Sequence, residues 1–404
     1  MTAGLPFALM LKNFVLLAVW PLLSPLVFAE SSGQPRTLKP GKPEQAGMSA
    51  AQLARVAALL DEETRSGRVL AASVLVARRG IIVLHGAWGK ISPEPGSRPA
   101  QADTVYLVAS ITKPVTATAL MLLVERGLVS LSDPVQKYLP EFTGPDREKV
   151  LVRHLLTHTS GLPDMLPNNV ALRRAHAPLA EFVRHAMTTP LLFAPGSAFS
   201  YQSMGVLLAA EIVERLTRTR LRDFEKTALF APLGMKSTSL GLGDRPIGDT
   251  AWCQGSPSYE ENPQDQSRYG ANSPYWRDMG HPWGGMHSTT TDTAVLLQTF
   301  LNGGVYDGVR ILSPATVEAM ISDQNLGLAA PWGLGWAFGR SQVWNYFGDL
   351  APNRTFGHVG ATGTVAWADP DHDLLCVVFT TRPPAEDGGS LLRLGATACQ
   401  RRAS

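Results

Sequence analysis

Cysteine is scarce in this chain. The three present, Cys253, Cys376 and Cys399, are too few for a disulfide framework and lack the spacing of a metal site. None precedes Cys253, which excludes a lipid-modified cysteine near the N-terminus. For the late pair two alternatives stand open: a bridge between Cys376 and Cys399, joining a strand to the last helix, or free buried thiols. Charge is also in short supply. Lys and Arg number 36 against 34 Asp and Glu, and a net charge of +2 gives no reason to expect nucleic acid as a partner. The one basic cluster, Arg215, Arg218, Arg220 and Arg222, alternates with Glu214, Asp223 and Glu225 and reads as a solvated helix end. Internal repeats, low-complexity tracts and a second long apolar span are missing. No Walker-type phosphate loop occurs, and Gly333, Gly335 and Gly339 do not follow a strand-to-helix context suited to a dinucleotide. His154 and His158 have the spacing of helical metal ligands, but the glutamate of H-E-x-x-H is absent, so a structural role is expected. Neither metal nor cofactor is expected.

At 45% hydrophobic and 17% charged, the chain has the composition of a globular protein with ample core. Its first residues read as an export signal. Lys12 supplies a positive start, residues 14–28 are apolar but broken by Pro21 and Pro25, and Val27-Phe28-Ala29 fits a cleavage site. The expectation is a signal peptide over residues 1–29, a mature chain from near Glu30, a periplasmic or secreted location, and no stable membrane insertion after cleavage. Ser49 with Gln52 predicts a capping box that opens a helix to about Thr64. Residues 72–77 and 81–86 read as strands joined tightly at Arg79-Gly80. Residues 364–368 and 374–380 are strand-like runs separated by the turn signal Asp369-Pro370-Asp371. A helix over residues 389–399 closes the chain, and residues 110–240 are mostly helical in pattern. The fold class predicted is α/β (α+β): one antiparallel sheet built from both chain ends and flanked by helices, with a helical region inserted. The α/β part covers about residues 45–108 and 286–400, and the helical part about residues 109–285.

The chemistry begins at Ser110-Ile111-Thr112-Lys113, just before an apolar run that predicts a buried helix from Pro114 to Glu125, with Gly127 as its C-cap glycine. A serine and a lysine three apart lie on one helical face, one turn from each other. A serine hydroxyl is a poor nucleophile until a neighbouring base takes its proton, and a partly buried lysine with a lowered pKa can share that work. Further motifs follow in order. Residues 151–163 read Leu-Val-Arg-His-Leu-Leu-Thr-His-Thr-Ser-Gly-Leu-Pro, followed by Tyr201-Gln202-Ser203 ahead of a helix over residues 206–216. Then come Trp283-Gly284-Gly285-Met286-His287-Ser288-Thr289, Trp332-Gly333-Leu334-Gly335-Trp336 and Gly357-His358-Val359-Gly360.

In order and separation these segments resemble the β-lactamase-related serine hydrolases. That superfamily includes class C β-lactamases, D-alanyl-D-alanine carboxypeptidases, D-amino-acid peptidases and family VIII carboxylesterases. The resemblance spans about residues 44–383 and implies a β-lactamase/transpeptidase-like fold with the catalytic cleft between its sheet part and its helical part. It implies Ser110 as nucleophile, Lys113 as the group that keeps a neighbouring phenol acidic, and Tyr201 as proton shuttle. The N–H groups of Ser110 and Ala361 would form the oxyanion hole. His358 would offer the substrate or Tyr201 a hydrogen bond, or a charge when protonated. Gly360 would let substrate approach the backbone closely. Ser203 stands where the family usually has an asparagine that holds the substrate amide.

Two departures bear on the substrate: His358 replaces the lysine of class C β-lactamases, and Ser203 replaces asparagine. Both remove features useful for peptides and β-lactams, and neither harms ester cleavage. The reaction expected is therefore that of an exported carboxylesterase acting on small-molecule esters. A D-amino-acid peptidase on cell-wall peptides, a weak β-lactamase and a non-catalytic peptidoglycan receptor are the alternatives. Residues 241–285 form a long stretch rich in Gly, Pro and Ser that also carries Tyr259, Tyr275, Trp276 and Trp283. Two roles are open for it: a wall of the acyl pocket with Trp276 touching substrate, or aromatics that pin a structural loop to the core.

Overall fold

The computed structural model describes Met1 and residues 36–255, 265, 267–339, 346–384 and 389–399. The expected export signal, Tyr259 and the side chain of Cys399 lie outside the described residues, and with them the Cys376–Cys399 pairing.

The apolar runs at the two ends of the chain form one seven-stranded sheet. Its strands are β1 (Lys39–Pro40), β2 (Ala71–Arg78), β3 (Ile81–Gly89), β4 (Ala337–Phe338), β5 (Phe356–Gly360), β6 (Thr364–Asp369) and β7 (Leu374–Thr380). They are ordered β1-β3-β2-β7-β6-β5-β4. Strand β2 from one end pairs with β7 from the other, with Val76 opposite Cys376 and Val74 opposite Val378. Every pair is antiparallel except β1 with β3, which is parallel. The sheet is therefore mixed rather than purely antiparallel. Its exception is a two-residue edge held by the Lys39 N–H on the Gly80 carbonyl, too short to leave a periodic signal.

The three central strands β2, β6 and β7 are buried along their whole length, and their sequences are near-continuous apolar runs because both faces are covered. One face (Val74, Val76, Cys376, Val378, Trp367) packs under helix α1 (Ala50–Arg65) and Leu391 and Leu392 of the last helix (Ser390–Cys399). The other (Leu75, Ala77, Leu375, Val377, Phe379) joins the larger core that contains the helical region. Of the expected capping box, the serine half is present: Ser49 caps α1, its Oγ accepting from the Gln52 N–H at 3.4 Å. The β2–β3 turn places Arg79 and Gly80 at φ +53° and +76°, the left-handed pair that suits the twist of a tight hairpin.

Two buried helices carry the cleft residues: α2 (Thr112–Glu125) and α3 (Met204–Thr217). Every residue of α2 from Thr112 to Leu123 is buried, so Lys113 is a cation inside an apolar helix. Gly127, at φ +68°, ends the helix in the predicted left-handed conformation. A three-stranded sheet of Tyr106–Leu107, Met286–Ser288 and Ser239–Leu240 leads the chain into α2. No helix among the described residues is long and apolar enough to cross a membrane.

Candidate active site

Ser110 sits in a single 3₁₀ turn, Ala109–Ile111, that runs directly into α2. Ala109 has φ +47°, a conformation an alanine adopts only under constraint. The constraints are visible. The Val108 N–H donates to the Met286 carbonyl at 2.9 Å, and the Thr364 hydroxyl donates to the Val108 carbonyl at 2.9 Å. The Thr362 hydroxyl donates to the Leu107 carbonyl at 2.6 Å, and that of Thr112 to the Ala109 carbonyl at 2.6 Å. The turn is thus fixed by the small sheet on one side and by the β5–β6 hairpin on the other.

Gly360 explains how the hairpin comes so near. A Cβ there would lie 2.2 Å from the Val108 carbonyl oxygen and 2.1 Å from the Thr364 hydroxyl. The backbone that needs this glycine is that of the nucleophile's own segment, which corrects the expectation that Gly360 makes room for substrate. Gly360→Ala is expected to push the Ser110 turn out of place and lower kcat/KM by about 10- to 100-fold, since misplacement of reacting groups by an ångström costs about that much. Steady-state kinetics on an activated ester checks this; unchanged kcat/KM would show that the contact is dispensable.

Lys113 extends from the first turn of α2 and donates to Ser110 Oγ at 3.0 Å and to the Trp283 carbonyl at 3.0 Å. It is 2% exposed. Burial lowers its pKa to about 8, against an opposing pull from the Asp164 carboxylate. Tyr201 precedes α3, and its phenol is close enough to Ser110 for that side chain to act on its proton affinity. The Lys113 ammonium lies over the Tyr201 ring face, 4.7 Å from its centroid. Burial raises the phenol's pKa well above its ordinary value and Asp164 raises it further, with Ser110 opposing. A phenol kept acidic by Lys113 is therefore not what the structure shows. Tyr201 is held neutral, and Lys113 is the group poised near neutrality.

The motif at residues 151–163 proves to be the clamp for Tyr201. The His158 ring packs against the Tyr201 ring at 4.5 Å between centroids, and Trp332 packs against both. His158 Nδ1 accepts from the Gln202 N–H at 3.1 Å, and its carbonyl accepts from the Ser200 N–H at 2.9 Å. The Gln202 side chain donates to the His154 carbonyl at 3.0 Å and accepts from the Ser160 hydroxyl at 2.6 Å. Both histidines thus shape the backbone around Tyr201, and burial lowers both their pKa values.

His358, on β5, is fully buried with its ring 6.1 Å from that of Tyr201. Its Nδ1–H donates to the Val359 carbonyl at 2.8 Å. Burial, helped by Lys113, pushes its pKa down to about 3. The charged form entertained from sequence is therefore absent near neutral pH, and His358 acts as a neutral hydrogen-bonding ring. Ala361 follows β5 in an exposed turn closed by the Gly363 N–H on the Gly360 carbonyl at 3.0 Å.

Ser203 does not stand alone. Its hydroxyl donates to Asp164 Oδ1 at 2.6 Å, and its N–H donates to the Asp164 carbonyl at 3.3 Å. Asp164 escaped the sequence analysis although it directly follows the motif that ends at Pro163. A carboxylate next to that motif was the available signal. Trp276, by contrast, does not line the cleft as a free face. It is 7% exposed, with the Arg173 guanidinium 3.9 Å from its ring centroid and the His281 ring at 4.2 Å. The Tyr275 hydroxyl donates to the Ala177 carbonyl at 2.8 Å, and its ring stacks on His176. Of the two roles open for this loop, the described part performs the pinning one. Aromatic rings buried this way gain area and cation–π contact together. Its contribution to the site is the Trp283 carbonyl, which receives Lys113.

The chain that carries this serine beside a buried lysine is matched by known proteins along most of its length. Residues 56–400 match the Beta-lactamase family. The chain belongs to that family. It is therefore a serine hydrolase of the β-lactamase superfamily. A protein of Salmonella agona (strain SL483), provisionally named a D-alanyl-D-alanine carboxypeptidase, is 30% identical over 375 residues, covering 86% of each chain. A penicillin-binding protein homologue from Caulobacter crescentus superposes with a TM-score of 0.71 at 23% identity, over 87% of this chain and 97% of that one. A family VIII carboxylesterase superposes with a TM-score of 0.70 at 22% identity, over 87% and 98%. These structural likenesses establish the β-lactamase/penicillin-binding-protein fold of this family member.

Proposed function

We propose that this family member is a carboxylesterase that acts on small esters through an acyl-enzyme on Ser110. The observation that carries this is the 3.0 Å hydrogen bond between Ser110 Oγ and a buried Lys113 whose pKa is lowered to about 8. In its neutral form Lys113 takes the proton of Ser110 as Oγ attacks the ester carbonyl. The oxygen that gains charge is received by the N–H groups of Ser110 and Ala361. As the acyl–oxygen bond breaks, the Tyr201 hydroxyl gives its proton to the leaving alkoxide and is resupplied by the proton that Lys113 took. Water then attacks the acyl-enzyme, with the same groups moving the proton in the opposite sense and Ser110 leaving.

Two features favour esters over peptides and β-lactams. His358 is neutral where class C β-lactamases place a lysine, so it offers no charge to a substrate carboxylate. Ser203 is committed to Asp164 and is not an amide able to bridge a peptide group. The Salmonella relative's name favours the other reading, a D-alanyl peptidase. Comparing kcat/KM for p-nitrophenyl butyrate with that for a D-alanyl-D-alanine peptide separates the two. The ester is expected to be the better substrate by at least about 100-fold, the weight of about 3 kcal/mol in the transition state. A peptide turned over faster than the ester would overturn the proposal.

A further inference from the structure

The basic cluster at residues 215–222 does not act as one group. Arg215 is paired with Glu141 and Glu211. Arg220 and Arg222 instead line a cavity of about 430 Å³, together with Asp223, Lys226, Lys236, Asp244 and Arg245. Small-molecule sites run from about 300 to 1,000 Å³. Ser110, Lys113, Tyr201 and His358 are absent from its walls, so it is separate from the catalytic cleft. Five cations and two carboxylates leave an excess of three positive charges there. Among the described residues Arg220, Lys226, Lys236 and Arg245 have no carboxylate at ion-pair distance, and Arg222 reaches only Asp278, at 3.6 Å. Two of the guanidinium groups are already fixed. Arg245, half-buried, donates to Ser239 Oγ at 2.8 Å and to the Leu242 carbonyl at 3.2 Å. Arg222 donates to the carbonyls of Asp278 and Met279. Like charges held around a concave, partly desolvated wall repel one another and concentrate their field inside it, and an anion entering the cavity relieves both.

We propose that this cavity is a second binding site, for a small ligand that carries a diphosphate group. A diphosphate has roughly three negative charges near neutral pH, which match the excess of the lining. The cations come from three separate stretches of chain, residues 220–226, Lys236 and Arg245, and so surround a volume larger than one phosphoryl group occupies. Arginine forks suit paired phosphoryl oxygens, and the lysines add point charges that follow the ligand. The two fixed guanidinium groups lower the ordering cost of binding. Because the charge lines a recess rather than a flat face, it fits a ligand that enters from solution better than a membrane surface.

Titration calorimetry of the whole protein with inorganic pyrophosphate, without divalent cations, tests this. One pyrophosphate per chain is expected, bound at least about 10-fold tighter than orthophosphate, because the second phosphoryl group reaches cations that the first does not. Lys226→Gln and Lys236→Gln, both at exposed positions, should each weaken pyrophosphate about 10-fold, the worth of a hydrogen bond between charged groups. Arg215→Gln should leave binding unchanged. Equal binding of the two anions, or full binding in the lysine variants, overturns the inference and reduces the cluster to unselective surface charge. A measurement on the unaltered protein guards against a variant that does not fold: reductive methylation of lysines, read by mass spectrometry. Pyrophosphate at about ten times its Kd should slow the labelling of Lys226 and Lys236 about 10-fold and leave the exposed Lys42 as reactive as before. Protection of neither lysine, or of all three alike, overturns the inference. Sedimentation with phosphatidylglycerol vesicles separates the remaining source of phosphate: capture that excess pyrophosphate does not reverse would assign the cluster to a membrane surface and overturn the inference too. None of these outcomes touches the acyl-enzyme reading of Ser110.

Discussion

Replacing Ser110 with alanine is expected to lower kcat/KM for p-nitrophenyl butyrate by at least about 10⁴-fold, the scale seen when the nucleophile of a serine hydrolase is removed. The size of the effect follows from the arrangement. Lys113 and Tyr201 converge on a single hydroxyl, and neither has another acyl acceptor to serve. The loss should be almost pure chemistry. Ser110 is a small, half-buried side chain whose removal opens little space, while the turn is held by the bonds of Val108, Thr112, Thr362 and Thr364. Thermal melting of the variant should therefore match that of the parent, and activity surviving in a folded variant would place the nucleophile elsewhere.

Lys113 carries the second large effect. Only its neutral form can accept the Ser110 proton, so protonation on the acid side switches the enzyme off. With a pKa of about 8, kcat/KM should rise with pH and reach half its plateau near pH 8. Lys113→Ala should cost at least about 10³-fold and flatten that limb, as expected when a general base within hydrogen-bond reach is lost. Lys113→Arg should be no better, because a guanidinium stays protonated throughout the accessible range. Initial rates for the parent and both variants from pH 6 to 10 give the answer, and a limb that persists in Lys113→Ala would assign the titration to another group. Tyr201 cannot supply this limb, since burial and Asp164 move its pKa upward, away from neutrality.

Much of this was legible in the chain. The paired strands at both ends could be read because β2, β6 and β7 are covered on both faces and so appear as near-continuous apolar runs. The β2–β3 turn could be read because Arg79-Gly80 has the chemistry of a left-handed pair. The parallel edge strand β1 could not, because two residues paired to Ile81 and Ile82 have no period. Ser110, Lys113, Tyr201 and His358 stood out as types in order along the sequence, and the structure brings them together around one hydroxyl and one ring. What the order of residues could not convey is the direction of each pKa. The neutrality of Tyr201 and His358 arises from burial, and burial of a polar side chain depends on which distant segments cover it. The purpose of Gly360 was misread for the same reason, since the atom that requires it belongs to Val108, some 250 residues earlier. Asp164 was missed because a lone acid after a proline is unremarkable until Ser203 is found against it.

The central claim is that one serine, activated by its lysine, takes up the acyl group. A fluorophosphonate that mimics the tetrahedral stage and resists hydrolysis tests it most directly, with the site read by mass spectrometry of the digested chain. The account predicts one adduct per chain, confined to the peptide containing Ser110, absent in Ser110→Ala and slowed in Lys113→Ala. An adduct on another residue, or an unmodified chain that still hydrolyses p-nitrophenyl butyrate, would contradict it.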